Sequence, residues 1–271
     1  MNLQSRSATS QRAPFLAHLK DKRVLIVGLG SLGSPVAMQL ARAGVGTLQL
    51  LDSDFLQAGN TVRWAYGLEY VGYSKASALA LRLRTDYPYT RVLAERCRIG
   101  IDEGDYDRVR SMILEADLVV DASASHPLSN FLSDLCWELN IPYVWLTTTP
   151  GARTGVVGRV VSNEDSCWRC YLRAMTDGRV RTPPVTNESE VQPGGCSQPT
   201  FVGAGVDSDE IALLASRLAL ATLSRDVPGG YPDFDWNVAV VDVISDGSSI
   251  APRWTTDPVA PHPDCTVCAP R

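Results

Sequence analysis

The chain has 271 residues, of which 45% are hydrophobic and 20% charged, and its formal net charge is −5 at pH 7. This length allows one large domain or two small ones, and the acidic balance argues against nucleic acid, which requires a dense cationic surface. No stretch is long and apolar enough to cross a bilayer and the start lacks a secretory h-region, so we expect a cytoplasmic protein.

Strand and helix patterns alternate through the first half of the chain. Short apolar, β-branched runs predict strands, and apolar residues spaced three to four apart predict helices. The predicted strands cover residues 23–27, 47–51, 91–94, 117–120 and 143–146, and the predicted helices cover residues 34–43, 74–84 and 129–139. Strands separated by helices indicate a Rossmann-like α/β fold with a doubly wound, mostly parallel sheet.

The second half of the chain has a different pattern. Residues 155–161 predict a strand in a more antiparallel part of the sheet, residues 209–223 a strong helix, and residues 236–243 a late strand. Between them, residues 177–200 are polar and rich in proline and glycine, which predicts a long mobile crossover loop.

A glycine-rich turn follows the first predicted strand. Gly28, Gly30 and Gly33 form a G-x-G-x-x-G pattern that opens the first helix. In this context glycines let a phosphate approach closely, and the helix N-terminus supplies free N–H groups. Asp52 ends the second strand, where it can accept hydrogen bonds from a ribose. The pattern predicts a nucleotide site, and it fits an NAD-dependent dehydrogenase as well as an ATP-dependent enzyme.

Four stretches downstream carry a family resemblance: residues 51–54 (LDSD), 59–63 (GNTVR), 72–75 (GYSK) and 117–121 (DLVVD). Together they resemble the ThiF/MoeB/HesA family, the bacterial relatives of ubiquitin-activating enzymes. The resemblance covers about residues 22–268. It implies an N-terminal segment over residues 1–21, followed by a single ThiF-type adenylation domain over residues 22–271.

The resemblance implies an ATP site built from polar side chains: Asp52 for the ribose with Asp54 beside it, Asn60 and Arg63 for the phosphates, Lys75 for the α- and β-phosphates, and Asp121 for Mg²⁺. Cations around a triphosphate favour attack of a carboxylate on the α-phosphate, so the combination favours ATP over NAD. Relatives also present an arginine from the neighbouring subunit to the γ-phosphate, for which Arg6 is the first candidate and Arg12 the second. The acidic residue and asparagine that often follow the family's metal-binding aspartate are absent from residues 122–126 (ASASH).

Two C-x-x-C pairs, Cys167 with Cys170 and Cys265 with Cys268, are each spaced to chelate one tetrahedral ion. Together they predict a Cys₄ zinc site, which is structural because four thiolates leave no open coordination position. A redox role is the alternative for either pair alone. The ThiF/MoeB family has the same paired arrangement, and the zinc would tie the C-terminal tail to the rest of the protein.

Cys196 lies at the end of the predicted crossover loop, next to two glycines and before a helix. The glycines leave its sulfur accessible, and a nearby helix N-terminus would lower the pKa of its thiol. The resemblance implies that a cysteine here can attack an acyl adenylate and form a thioester, whereas an exposed, unreactive cysteine is the alternative. Cys97 and Cys136 receive no function, because most buried cysteines behave as small hydrophobic residues.

These observations predict a homodimeric enzyme that uses ATP·Mg²⁺ to adenylate the C-terminal carboxylate of a ubiquitin-like or sulfur-carrier protein with a flexible, glycine-ended tail. Arg63, Lys75 and Asp121 would stabilise charge at the phosphates, and Cys196 would capture the acyl group. A conjugating enzyme or a sulfurtransferase would be a further partner. The alternatives are an enzyme that adenylates a peptide, a small-molecule carboxylate or a tRNA base without a cysteine intermediate, a dehydrogenase, and an inactive scaffold subunit.

Overall fold

The computed structural model describes residues 11–100, 104–163, 165–183, 190–191 and 200–268. Within these residues the strands are β1 (Arg23–Val27), β2 (Thr47–Asp52), β3 (Arg91–Arg96), β4 (Leu118–Asp121), β5 (Tyr143–Thr148), β6 (Thr154–Val160), β7 (Glu190–Val191), β8 (Thr200–Phe201), β9 (Val238–Ser245) and β10 (Ser248–Asp257). The α-helices are α1 (Gly33–Arg42), α2 (Lys75–Asp86), α3 (Asp105–Leu114), α4 (His126–Glu138), α5 (Trp168–Thr176) and α6 (Gly205–Leu223). Among the described helices, none has the length and apolar content needed to span a membrane.

Eight strands form one sheet in the order β10-β9-β6-β5-β4-β1-β2-β3. The pairs from β3 through β5 are parallel, and the pairs from β5 through β10 are antiparallel. The chain runs from β1 to β2 and β3 and then returns to the other side of β1 with β4 and β5. The strand order therefore reverses between β1 and β4. Such a reversal opens a crevice at the carboxyl ends of the strands, where open α/β sheets bind ligands.

Helices cover both faces of the sheet, because alternate residues of a central strand point to opposite sides. In β1, Val24 and Ile26 pack into a core with α1, α2 and α6, whereas Leu25 and Val27 pack into a second core with α3, α4 and α5. All four side chains are at most 3% exposed. The doubly wound α/β fold with an antiparallel C-terminal part is confirmed.

Apart from the short strands β7 and β8, the helices α3 and α5 and the strand β10 were not predicted. The helix α3 buries two apolar residues, Val109 and Ile113, which is too narrow a stripe to show clear helical spacing. The helix α5 begins at Trp168, inside the first C-x-x-C pair. The strand β10 is a largely exposed edge strand that contains Pro252 where its pairing with β9 is irregular, and proline is tolerated at such edge positions. Both α4 and α6 begin earlier than predicted.

The predicted crossover loop begins after α5 and contains a short paired segment. The strands β7 and β8 form a two-residue antiparallel ladder, with Glu190 opposite Phe201. The sequence had indicated no strand in this stretch. Cys196 lies outside the described residues, and so does Arg6.

Candidate active site

The turn between β1 and α1 contains three glycines, and the surrounding protein requires glycine at two of these positions. Gly28 has a φ of +84°, and a Cβ there would lie 2.6 Å from the Cα of Ser123. A Cβ on Gly33 would lie 1.8 Å from the carbonyl oxygen of Gly28. A Cβ on Gly30, in contrast, would have no described atom within 4 Å. The protein therefore does not itself require glycine at position 30, and the open space in front of it suits a phosphate.

A pocket of about 700 Å³ opens at the carboxyl ends of β1, β2, β4 and β5. We call it the glycine pocket. Its lining brings together most of the predicted ATP-binding residues, namely Gly28, Gly30, Asp52, Asp54, Asn60, Arg63 and Lys75. Two predicted residues, Gly33 and Asp121, do not line it.

Asp52 ends β2 and is fixed against the glycine turn. Its Oδ2 accepts a 2.6 Å hydrogen bond from the backbone N–H of Leu29, and its Oδ1 accepts a 2.8 Å bond from the backbone N–H of Asp54. Burial raises the pKa of Asp52 above its ordinary value, and the positive charge of Lys75 and the two N–H groups oppose this rise. The carboxylate is thus held at the edge of the pocket, where a ribose hydroxyl would meet it.

Two cationic side chains line one wall of the glycine pocket. Lys75, the first residue of α2, is only 8% exposed, and its Nζ lies 2.9 Å from the Oδ2 of Asp54. A lysine is rarely buried unless it is paired in this way. Arg63 follows the short 3-10 helix Ala58–Val62, which the side chain of Asn60 helps to cap. The pocket therefore presents a buried ion pair and an arginine to any ligand.

Trp64, next to Arg63, anchors this segment to the glycine turn. Its indole Nε1 donates a 2.7 Å hydrogen bond to the carbonyl of Leu29. The hydroxyl of Ser34 donates to the carbonyl of Gly30 at 2.8 Å and accepts from a backbone N–H of the Arg63 segment at 3.1 Å. The arginine segment and the turn thus fix each other's position. Neither Trp64 nor Ser34 was singled out from the sequence.

Asp121 ends β4 but is enclosed by the protein. Its Oδ1 accepts hydrogen bonds from the backbone N–H and the hydroxyl of Ser123, at 3.0 and 2.6 Å. Its Oδ2 accepts from the hydroxyls of Ser129 and Tyr143, at 2.6 and 2.8 Å. Asp121 is 1% exposed, and burial followed by its negative charge raises the pKa of Tyr143. This geometry does not fit the predicted Mg²⁺ ligand, because internal donors already surround both carboxylate oxygens; it fits a residue that fixes β4 to α4 and β5.

A second pocket, of about 750 Å³, adjoins the glycine pocket and shares Gly28 and Asp52 with it. Its apolar lining includes Ile99 from the β3–α3 connection and Leu128 and Phe131 from α4, and we call it the Phe131 pocket. Sequence reasoning missed it, because its apolar residues belong to no motif and come from separate elements. Its place next to Asp52 suits a flat, apolar base.

Four cysteine thiols converge at the start of α5. The sulfur atoms of Cys167, Cys170, Cys265 and Cys268 all lie within 4.8 Å of one another. Cys167 and Cys265 are 3.5 Å apart, and Cys170 and Cys268 are 3.2 Å apart. Four sulfurs that each bind one tetrahedral Zn²⁺ at about 2.3 Å must lie close to one another, as these four sulfurs do. The backbone N–H of His262 also donates to the sulfur of Cys170 at 3.2 Å. The cluster fits one Zn²⁺, which would join α5 to the C-terminal residues.

The family profile of the ThiF family matches residues 4–228, a range that includes every lining residue of the glycine pocket. The chain belongs to the ThiF family. The same range contains the first C-x-x-C pair, whereas the second pair lies beyond it. The family resemblance inferred from residues 51–121 is therefore confirmed.

Several curated proteins are similar to this member of the ThiF family. The uncharacterized protein y4oA of Sinorhizobium fredii is 34% identical, over 94% of this chain and 44% of its own length. The SAMP-activating enzyme E1 of Haloferax volcanii is 32% identical, over 67% of this chain and 66% of its own. The molybdopterin-synthase adenylyltransferase of Escherichia coli is 31% identical, over 57% of this chain and 60% of its own. The chain thus spans less than half the length of the first of these relatives.

Among solved structures, the fold is similar to that of E. coli MccB. The crystal structure of MccB with ATP has a TM-score of 0.70 and 21% sequence identity, and the match covers 95% of this chain and 69% of that one. At this identity the likeness concerns the fold.

Proposed function

We propose that this chain is the adenylating part of an enzyme that activates a carboxylate with ATP. A carboxylate oxygen would form a bond to the α-phosphorus of ATP, and the bond from that phosphorus to the bridging oxygen of pyrophosphate would break. The observation that carries the proposal is the glycine pocket, which combines an open glycine turn with Arg63 and Lys75. Convergent cations stabilise the charge that develops on a triphosphate, and a hydride-transfer site does not need them. Similarity to the molybdopterin-synthase adenylyltransferase of E. coli supports the same chemistry.

The three parts of ATP each have a place in this proposal. The adenine would lie in the Phe131 pocket, and Asp52 would accept a hydrogen bond from the ribose. The phosphates would lie in front of Gly30 at the N-terminus of α1, whose free N–H groups favour anions. Arg63 and Lys75 would bind them from the opposite wall, with Lys75 shared between a phosphate and Asp54.

Mg²⁺ would accompany ATP and neutralise part of the phosphate charge. Magnesium prefers oxygen ligands, and the carboxylates that line the described part of the glycine pocket are those of Asp52 and Asp54. We assign Asp54 to the cation, because Asp52 is held against the turn and Asp121 is enclosed by four internal hydrogen bonds. The zinc site, with four protein ligands, has a structural role in this account.

The first candidate substrate is the C-terminal carboxylate of a ubiquitin-like or sulfur-carrier protein, which the name of the SAMP-activating enzyme E1 supports. Capture of the acyl group by Cys196 and transfer to a conjugating enzyme or sulfurtransferase would follow. The second candidate is a shorter peptide, which an apolar pocket lined by Trp145 and Trp168 favours.

A homodimer would bring Arg6 of one subunit to the ATP bound by its partner. Exposed apolar side chains at the adjacent Val62 and Val206, 69% and 76% exposed, offer a surface for it.

The proposal is tested by pyrophosphate exchange into ATP in the presence of carboxylate substrates. Replacement of Lys75 by alanine is expected to lower the exchange rate by about a hundredfold or more, because one phosphate-binding charge is lost. Lys20→Ala removes an exposed lysine far from the pocket and is the matched control. Binding of NADH without any ATP-dependent exchange of pyrophosphate would contradict the proposal and support a dehydrogenase instead.

A further inference from the structure

A third pocket, of about 340 Å³, lies on the β5 and β6 side of the glycine pocket. It shares Ala124, His126, Thr147 and Thr148 with the glycine pocket, so the two pockets adjoin. We call it the tryptophan pocket, after Trp145 and Trp168 in its lining (the lining continues through Thr149, Val156, Tyr171, Leu172 and Met175). The shared residues place it beside the space that the proposed function gives to ATP.

The chemistry of the tryptophan pocket is apolar and aromatic. Trp145 comes from β5, and Trp168, Tyr171 and Leu172 come from α5. No aspartate, glutamate, lysine or arginine lines it among the described residues. A charged group placed there would lose its hydration without gaining a partner. The volume is roughly twice that of a ~150 Å³ apolar cavity that holds benzene, so the space accepts a large side chain.

His126 separates the tryptophan pocket from the glycine pocket. Its ring packs edge-on against Trp168, with ring centroids 4.8 Å apart. Its Nδ1 lies 3.2 Å from the side-chain nitrogen of Asn130, which fixes the ring plane. Thr147 carries a hydroxyl at the same boundary, whereas the hydroxyl of Thr148 donates to the carbonyl of Thr154 at 3.1 Å. The boundary therefore offers polar groups to a carboxylate, while the space behind it offers apolar contact.

We infer that the carboxylate substrate ends in a bulky apolar residue, aromatic or large aliphatic, whose side chain fills the tryptophan pocket. This inference rests on the proposed function. The carboxylate and the side chain of a C-terminal residue are bonded to the same Cα, so a pocket that adjoins the reacting centre receives the side chain of that residue. ATP does not need this space, since its base and phosphates have the other two pockets. A tail that ends in glycine has no side chain to fill the tryptophan pocket, so it would lack the apolar contacts that a bulky side chain makes there.

The test uses the full chain, ATP·Mg²⁺ and short synthetic peptides that differ only in the terminal residue, which is phenylalanine, leucine, glycine or aspartate. Pyrophosphate exchange is measured for each peptide. We expect kcat/KM for the phenylalanine and leucine peptides to exceed that for the glycine peptide by about tenfold or more, since a single methylene in an apolar pocket already changes it by about tenfold or more. The aspartate peptide is expected to give the lowest value.

Variants at Leu172 assign the preference to this pocket. Leu172→Trp would fill the space from α5 and is expected to remove the preference for apolar ends while the glycine peptide keeps its rate. Leu114→Trp adds the same bulk at an exposed residue of α3 that lines none of the three pockets, and it serves as the matched control. Equal or faster exchange with the glycine peptide, or an equal loss for every peptide in Leu172→Trp, would overturn the inference and leave the proposed function intact. If no peptide supports exchange while a ubiquitin-like or sulfur-carrier protein does, the inference is overturned and the proposed function stands; ATP binding without exchange for either kind of substrate would overturn both.

Discussion

The two sides of the glycine pocket are built in different ways. On the β1–β2 side, the ligand-facing geometry comes from the backbone: a glycine turn, the N–H of Leu29, and Asp52 held by that N–H. On the β5 side, it comes from side chains of three separate elements, with His126 at the boundary and Trp145 and Trp168 behind it. Under the proposed function, binding of ATP and selection of the carboxylate would depend on separable parts of one sheet edge. Mutations on one side should therefore leave the other side's function largely intact.

The largest effect is expected from loss of the zinc site, which supports the α5 side. Cys170→Ser removes one of four thiolate ligands, and structural zinc sites contribute a large share of folding free energy. We expect the free energy of unfolding to fall by several kcal/mol and the zinc content to fall below one per chain. Metal analysis and thermal melts with and without a chelator measure both. Cys97→Ser, which alters a cysteine outside the cluster, should keep the zinc, and a zinc content unchanged by Cys170→Ser would contradict the assignment.

Two glycine variants separate folding from nucleotide binding on the β1 side. Gly33→Ala places a Cβ 1.8 Å from the carbonyl oxygen of Gly28, and we expect a loss of about 3 kcal/mol or more in stability. Gly30→Ala meets no described atom within 4 Å, so stability should change by less than about 0.5 kcal/mol. Its methyl group would occupy the space of a phosphate, and ATP affinity should fall about tenfold or more. Denaturant titration measures the stability of both variants, and ATP titration measures their affinity for ATP. Unchanged ATP affinity in Gly30→Ala would show that no phosphate binds at this turn.

Asp121 and Asp54 test which carboxylate serves the metal. Asp121→Asn exchanges one carboxylate oxygen for an amide N–H₂ that faces donors, so stability should fall by about 2 kcal/mol or more. The folded fraction should keep its Mg²⁺ requirement, measured as the Mg²⁺ concentration that gives half-maximal exchange. Asp54→Asn is expected to raise that concentration with a smaller loss of stability. If Asp121→Asn raises that Mg²⁺ concentration and Asp54→Asn does not, Asp121 is the residue that binds Mg²⁺.

A smaller effect is expected from His126 at the boundary between the two sides. His126→Ala removes a polar group next to the expected carboxylate, and KM for the carboxylate substrate should rise about tenfold. KM for ATP should stay within about twofold, since the phosphates have other partners. His18→Ala, on the 3-10 helix that precedes β1, is the matched control. An equal rise in both KM values would contradict the separation of the two sides.

The smallest effect concerns the pH dependence of stability. The folded-state pKa of Asp52 is raised, chiefly by burial, so the folded protein binds more protons at this site than the unfolded chain. Its contribution is fully present below the ordinary aspartate pKa of about 3.9 and is lost as the pH rises through the raised value. The stability of the natural chain relative to Asp52→Asn should therefore decrease as the pH rises from about 4 toward neutrality. Urea melts at several pH values measure it, and a margin that grows with pH would contradict the assigned direction.

The part of the site that the sequence predicts is the part with fixed spacing. The glycine turn, Asp52, Arg63 and Lys75 lie in segments whose residue order is typical of a phosphate-binding site, and the spacing of the cysteine pairs is typical of a tetrahedral metal site. The tryptophan pocket could not be predicted, because Trp145 and Trp168 come together only through the pairing of β5 with its neighbours and the docking of α5. The family resemblance assigned Asp121 to a metal, whereas its hydrogen bonds to Ser129 and Tyr143 could not be predicted, because no motif marks those two residues. The edge strand β10 was not predicted because apolar and polar residues do not alternate along it.

Oxygen transfer from substrate to AMP tests the central claim most directly. The chain would be incubated with ATP·Mg²⁺ and a peptide whose terminal carboxylate carries a heavy oxygen isotope, and the adenylate would then be cleaved with hydroxylamine. The account predicts AMP that carries one labelled oxygen, because a carboxylate oxygen attacks the α-phosphorus. ADP with label in free phosphate would place the attack on the γ-phosphorus and contradict adenylation. Unlabelled AMP would show that water, and not the carboxylate, is the nucleophile.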